Sequence, residues 1–246
     1  MMLFLNKIKT FFNEIFIIIY PRKCISCGEI IDENEYLCDY CFNHIESIDH
    51  TKHCKICGAE KGQCSCSYRV YRFAGITSAF YNEGIAQKAY YAYKLNHKMH
   101  YSRFFAERMA MAVSKSYYGK KFDYICAVPT SLRSKMQRGF DHTEILYKDI
   151  SLFLNIPRLD NILSCKSYVK PQHTSNFNDR QQNVRGKYSF NYNITGGRIL
   201  RVDDIMTTGA TLDECARQLL LAGADEVYCI TALHNASKKV EIKKGM

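Results

Sequence analysis

The stretch from residue 199 to 212, ILRVDDIMTTGATL, limits what this chain can fold into more than any other. An apolar run is broken by two adjacent acids, resumes for two residues and passes into Thr-Thr-Gly-Ala-Thr. That order predicts a buried strand over Ile199 to Val202, then a loop, then a helix. Asp203 and Asp204 fall at the strand's carboxyl end, where open parallel sheets place their ligands. Thr207, Thr208 and Thr211 offer hydroxyls, and Gly209 with Ala210 allows a turn that gathers backbone N–H groups. The helix N-terminus adds partial positive charge, so a phosphate monoester fits there. The acids are wrong for phosphate and right for a ribose diol, with Mg²⁺ nearby. Phosphate, sugar and metal together describe a ribose 5-phosphate site.

The rest of the second half reads as alternating strands and helices, the texture of a parallel α/β fold. Ile76 to Tyr81 predicts a strand and Ile85 to Leu95 a helix. Ser102 is placed to cap a helix whose apolar face runs through Phe105, Met109, Ala112 and Val113. Tyr124 to Val128 predicts a strand ending at Pro129, and Asp141 with Glu144 a capping box. Thr211 with Glu214 predicts a second capping box, on a helix ending near Gly223, with a strand over Val227 to Leu233. Arg201 stands out inside a strand that should be apolar on both faces. It must snorkel, pair with an acid or lie on an edge.

Eight of the twelve cysteines fall between Cys24 and Cys66, in close pairs. Cys24-x-x-Cys27 and Cys38-x-x-Cys41, ten residues apart, have zinc-ribbon spacing. Cys54-x-x-Cys57 with Cys64-x-Cys66 repeats it in compressed form. Gly28 and Gly58 predict tight turns that aim backbone N–H groups at sulfur, while His44, His50 and His53 read as surface residues. The opening residues are apolar, but Lys7, Lys9 and Glu14 interrupt them, and no cleavage site precedes Pro21. This predicts an amphipathic helix over 1–20 rather than an export signal or a membrane span. A reducing, cytoplasmic compartment then makes the paired thiols metal ligands instead of disulfides. The formal charge is +10. Two zinc sites of four thiolates each would leave about +6, which favours an anionic partner. The expected division is a double zinc ribbon over 21–67, an α/β domain over 68–234 and a flexible basic tail over 235–246.

The 199–212 loop resembles that of type I phosphoribosyltransferases, and nearly the whole chain is similar to the ComF family. That resemblance implies a type I phosphoribosyltransferase-like parallel sheet flanked by helices, behind a double zinc ribbon. It also implies structural Zn²⁺, a phosphoribosyl pyrophosphate ligand carrying Mg²⁺, and a role in DNA uptake during natural transformation. Single-stranded DNA and the DNA-uptake helicase machinery are the implied partners. Interleaved Tyr, Phe and Lys over 88–105 would suit base stacking and phosphate contacts, and suit a core helix with a wet face equally. AVPTSLRSKMQRGFDHTE (127–144) resembles the family's proline-containing loop, which brings Thr130, Ser131, Arg133 and Arg138 to the pyrophosphate side. KPQ (170–172) followed by Arg180-x-x-Asn183-Val184-x-Gly186 resembles its hood, with Arg180 on the same side. Lys94-Leu95 stands where the family has a Lys-aromatic pair. Asp141-His142 replaces the usual Asn-Gln, and Val169 an expected Thr. An active phosphoribosyltransferase of nucleobase salvage and a non-catalytic ligand-sensing regulator would use the same site.

Overall fold

Four parallel strands, in the spatial order Gly75–Tyr81, Glu226–His234, Arg198–Met206 and Tyr124–Ala127, form one sheet. The computed structural model describes residues 20–64, 66–67, 69–95, 99–130, 136, 141–165 and 184–235. In chain order the elements are α1 (Asp39–His44), β1 (Gly75–Tyr81), α2 (Gly84–Leu95), α3 (Ser102–Ser116) and β2 (Tyr124–Ala127). There follow α4 (His142–Leu154), β3 (Leu163–Cys165), β4 (Tyr188–Phe190), β5 (Arg198–Met206), α5 (Ala210–Leu221) and β6 (Glu226–His234). β3 and β4 pair antiparallel as a separate two-stranded ribbon.

Both faces of the sheet are covered, which is why its inner strands read as near-continuous apolar runs. Leu200, Val202, Ile230 and Ala232 meet Tyr90 and Tyr93 of α2, Phe105 and Met109 of α3, and Leu146 and Ile150 of α4. On the other face Ile199, Val227 and Cys229 meet Leu212, Cys215 and Leu219 of α5 and Tyr188 of the β3–β4 pair. From Ile199 to Val202 the β5 residues with hydrophobic side chains therefore alternate between the layers, whereas at the strand's end Ile205 packs with the first cluster and Met206 with the second.

β5 extends to Met206, four residues beyond the strand expected from the apolar run. Asp203 and Asp204 consequently lie in the sheet itself, with Asp203 opposite Thr231 of β6. Two expected caps also differ. Ser102 does not cap α3. Its hydroxyl donates to Asp149 at 2.7 Å, tying α3 to α4, while Tyr101 stands at the cap and its side chain makes no capping bond. Thr211 does not cap α5 either. Gly209 holds that place at φ 76°, a left-handed conformation that needs no side-chain acceptor. Glu214 instead accepts from Gly186 N at 3.1 Å and from Arg217 at 2.7 Å. The Asp141 cap forms as expected, accepting from the N–H groups of Thr143 and Glu144 at 3.2 Å each.

The cysteine-rich segment is not a separate body. Cys24, Ile25, Leu37, Cys38 and Cys41 are buried in the same cluster as Phe80, Tyr101 and Phe104. Tyr101 donates its hydroxyl to the Lys23 carbonyl, and Ile48 N donates to Ala79 O of β1 at 3.2 Å. Gly75 admits the second half of the segment: a Cβ there would sit 2.6 Å from the Lys55 carbonyl oxygen. Most of residues 1–20 and 235–246, the expected helix and tail, lie outside the described residues.

Candidate functional site

Where β5 and β2 end, a cavity of about 260 Å³ opens between the two helical layers. β5 and the turn after it supply Asp203, Asp204, Thr207, Gly209, Ala210 and Thr211. α2 adds Lys94, the loop after β2 adds Thr130, and α4 adds His142 and Thr143. The β3–β4 pair closes one side with Cys165, Lys187 and Tyr188. The loop residues singled out in the sequence thus line one concavity, apart from Thr208. Its hydroxyl turns into the loop's own backbone and accepts from Ala210 N at 3.4 Å. Gly209 is required by its backbone more than by space, since the Met206 side chain beside it can shift. A Cβ there would lie 2.9 Å from the Met206 methyl group, on a backbone that L-residues rarely adopt.

The two acids do different things because successive strand residues face opposite ways. Asp204 points into the α2–α4 layer, where its carboxylate accepts from Lys94 Nζ, and from His142 Nε2 at 3.2 Å. The two side chains of the Lys94–Asp204 pair are only 15% and 19% exposed. Tyr93 donates its hydroxyl to the His142 carbonyl at 2.9 Å and so fixes the start of α4 against α2. Burial alone would raise the Asp204 carboxyl. The His142 hydrogen bond and the Lys94 charge outweigh it and hold the group well below the usual carboxylate range. Asp203 faces the α5 layer instead. Burial first, then the neighbouring Asp204 charge, push its carboxyl well up, against the pull of the Asp204 N–H and Arg201.

Thr130 lines the cavity and donates to Asp141 at 3.0 Å, so the α4 cap also positions the loop after β2. Ser131, Arg133, Arg138 and Arg180, the other pyrophosphate-side candidates, lie outside the described residues. Lys187 and His142 are pocket groups that sequence reasoning passed over. The departure of Asp141-His142 from the family's pair was the available signal for the second. Lys187, beside a turn in an irregular stretch, carried none.

The eight clustered cysteines form two tetrads, Cys24, Cys27, Cys38 and Cys41, and Cys54, Cys57, Cys64 and Cys66. Within each, all four sulfurs lie within 4.8 Å of one another. Zn–S bonds of about 2.3 Å around a tetrahedral ion require S···S edges of about 3.8 Å. Cys27–Cys38 and Cys57–Cys64 stand at 3.7 Å and Cys54–Cys66 at 3.8 Å. The donor set fits zinc. The first thiol of each tetrad is also prepared as a ligand. Burial opposes ionisation of Cys24, yet the N–H groups of Cys27, Cys38 and Ser26 bring it to about 7. Cys57 and Ile56 do the same for Cys54, also to about 7. Gly28 and Gly58 make the turns at φ 84° and 72°, donating to the Cys24 and Cys54 carbonyls at 2.9 Å. His53 is buried rather than a surface residue, with Nε2 3.0 Å from the Tyr81 hydroxyl.

These features define a class: a double zinc ribbon packed onto a four-stranded parallel sheet flanked by helices. Residues 15–69 match the family model of the double zinc ribbon domain. The chain is similar to competence protein F of Haemophilus influenzae, 26% identical over 225 residues, 83% of this chain and 93% of that protein. It is 28% identical over 110 residues to the DNA utilization protein YhgH of Escherichia coli K12, 44% of this chain and about half (48%) of that one. Among solved structures, a purine phosphoribosyltransferase from Pyrococcus horikoshii superposes with TM-score 0.35 at 18% identity, covering 53% of this chain and 83% of that one. These relatives bear out the resemblance to the ComF family.

Two outcomes follow from the geometry. Elemental analysis of the purified chain is expected to return two zincs, and chelation to lower one cooperative unfolding transition, because Cys24 and Cys38 share the main core. A metal-free chain with unchanged melting would contradict the assignment. For Asp204 the folded pKa is depressed, so its stabilisation is complete above the unfolded value near 4 and is lost as pH falls through the folded value. Asp204→Asn is therefore expected to cost about 3 kcal/mol at pH 7. That deficit should shrink towards zero in strong acid, as read by urea denaturation across pH.

Proposed function

We propose that the cavity binds phosphoribosyl pyrophosphate or a related ribose 5-phosphate, and that the chain acts in DNA uptake, as the names of its relatives suggest. One observation carries the reading: an acid pair and a glycine-capped helix N-terminus line the same cavity. The turn over Thr207 to Thr211 takes the 5-phosphate, through backbone N–H groups, threonine hydroxyls and the α5 N-terminus. Asp203 and Asp204, raised beside it by the strand, accept from the ribose hydroxyls. Thr130 and Lys94 face the pyrophosphate side, with Ser131, Arg133, Arg138 and Arg180 as the sequence candidates for the same end. Mg²⁺ would neutralise the pyrophosphate. Asp204 is already engaged by Lys94 and His142, so the ion's oxygens would come chiefly from the ligand and water.

Single-stranded DNA is the second partner in this reading, supported by the +10 formal charge and by a relative named for DNA utilization. A cytoplasmic location belongs to it too. Among the described residues no helix is long and apolar enough to cross a membrane.

Calorimetric titration of the zinc-loaded chain with phosphoribosyl pyrophosphate, with and without Mg²⁺, tests the ligand. Gly209→Val is expected to abolish phosphate binding by crowding the turn. Thr211→Ala should weaken it by about 1–3 kcal/mol yet leave stability nearly unchanged, since Gly209 and not Thr211 caps α5. Asp203→Asn and Asp204→Asn should spare inorganic phosphate and impair the ribose-bearing ligand. Equal affinity of the Asp variants for the full ligand would reduce the loop to a generic anion site. For DNA, affinity for an oligonucleotide should fall linearly on a log–log plot against salt, with a slope of roughly −0.7 per phosphate contact. No binding at low salt would reject that partner.

A further inference from the structure

Arg201 sits where nothing in the pocket chemistry described so far uses it. It lies in the middle of β5 and is 0% exposed. It neither snorkels nor lies on an edge, because β5 runs between β6 and β2. Among the described residues, none of its three guanidinium nitrogens has a hydrogen-bond partner of good geometry. The register surrounds it with sulfur. Cys126 of β2 and Cys229 of β6 are its two cross-strand neighbours, and Cys215 of α5 lies against it from the covering layer. Burial opposes the charge, yet Cys215, Cys126, Cys229 and Asp203 together hold the guanidinium above its ordinary value.

The thiols are not the counter-charge. Burial pushes Cys126 up to about 11 and Cys215 up to about 12, and Cys229 higher still. Among these four neighbours of Arg201 only Asp203 is a carboxylic acid. It follows Arg201 by two residues on one strand, so the two point to the same face. Asp203 is itself buried.

We propose that Arg201 is the buried cation that acts on Asp203 from beneath the pocket, favouring its carboxylate against burial and the Asp204 charge and offsetting the negative charge that forms, so that a polyanionic sugar phosphate can bind beside the two acids. This rests on the ligand reading given above. Each acid then has a cation in its own layer: Lys94 for Asp204, through direct contact, and Arg201 for Asp203, without contact, from two residues back on the same face of the strand. Without them two carboxylates in a low-dielectric cavity would repel every phosphate of the ligand. A cation inside the sheet is also out of reach of counter-ions, so its effect survives at salt concentrations that screen surface lysines. Arginine suits the position because its guanidinium stays ionised where a buried ammonium would lose its proton. Arg201 touches no ligand; it is a positioning residue.

The pairing is tested without ligand by a double-mutant cycle on the full zinc-loaded chain, reading the unfolding equilibrium in urea. Arg201→Met in the wild-type background strands Asp203, whereas in an Asp203→Asn background it removes an unpaired cation. The effect of Arg201→Met on the unfolding equilibrium constant should therefore differ between backgrounds by at least about fivefold, the loss of stability being greater where Asp203 keeps its carboxyl. Arg201→Leu, of different shape, is measured in parallel to separate a packing defect from the loss of charge. The same effect in both backgrounds overturns the pairing. The consequence for binding is read with ribose 5-phosphate and phosphoribosyl pyrophosphate at two salt concentrations. Arg201→Met should lose roughly threefold on the first and tenfold or more on the second, with little salt dependence of the difference. Arg201→Lys should recover little, because an ammonium buried there gives up its proton. Equal losses on both ligands overturn the electrostatic role. If the wild-type chain binds neither ligand, the ligand reading fails instead, and the cycle still decides the pairing.

Discussion

The chemistry of this molecule depends on an extended backbone carrying two adjacent acids. In a loop, Asp203 and Asp204 would be free to turn together towards one ligand. Inside a central strand each reaches the one cavity from its own side, because alternation sends the two side chains to opposite covering layers. The fold must then supply compensation twice. In the α2–α4 layer this comes as Lys94 and His142, brought to Asp204 by the packing of α2 on α4 through Tyr93. In the α5 layer the cation that pulls against burial at Asp203 is Arg201, on the same strand. The helices around the sheet therefore have an electrostatic task as well as an apolar one.

The zinc tetrads answer the same problem of burial. A segment of this length with so few apolar residues cannot exclude water by itself. Here it does not try to. Two tetrads fix the turns, and the freed apolar side chains, Ile25 and Leu37, join the core that backs α3. Sulfur ligands buried at the edge of that core serve both purposes, since Cys24 and Cys41 are among its most enclosed members. Loss of metal would thus expose apolar surface on the α/β side as well as unravel the turns.

Much of this was legible in the residues. The four strands of the parallel sheet and the helices that cover it fall close to where apolar periodicity places them, because each buries a continuous face; the short β3–β4 pair carried no such signal. The tetrads were readable because thiolate spacing alone closes a tetrahedron. The errors share one cause. Sequence rules for caps treat Ser102 and Thr211 as local acceptors, but their surroundings settled otherwise: Asp149 across a helix interface drew the first, and a left-handed glycine made the second unnecessary. The strand was ended too early at Val202 because acids normally end apolar runs. Its extension is visible only once β6 is present to pair with Asp203 and Ile205.

Arg201 shows how far such a reading reaches and where it stops. Sequence alone marks it as an anomaly and offers three escapes, of which pairing with an acid was one. It cannot say which, since that turns on strand order. Were β5 at an edge, the guanidinium would reach water and mean nothing. With β6 on one side, β2 on the other and α5 above, the same residue is enclosed by three sulfurs and one carboxyl. Thiols held neutral by burial cannot balance it, and the acid two residues on is the group a phosphorylated sugar would approach. A residue that contradicts the strand's apolar pattern thus becomes intelligible through the acid-lined cavity at the strand's end, rather than through the strand's own stability.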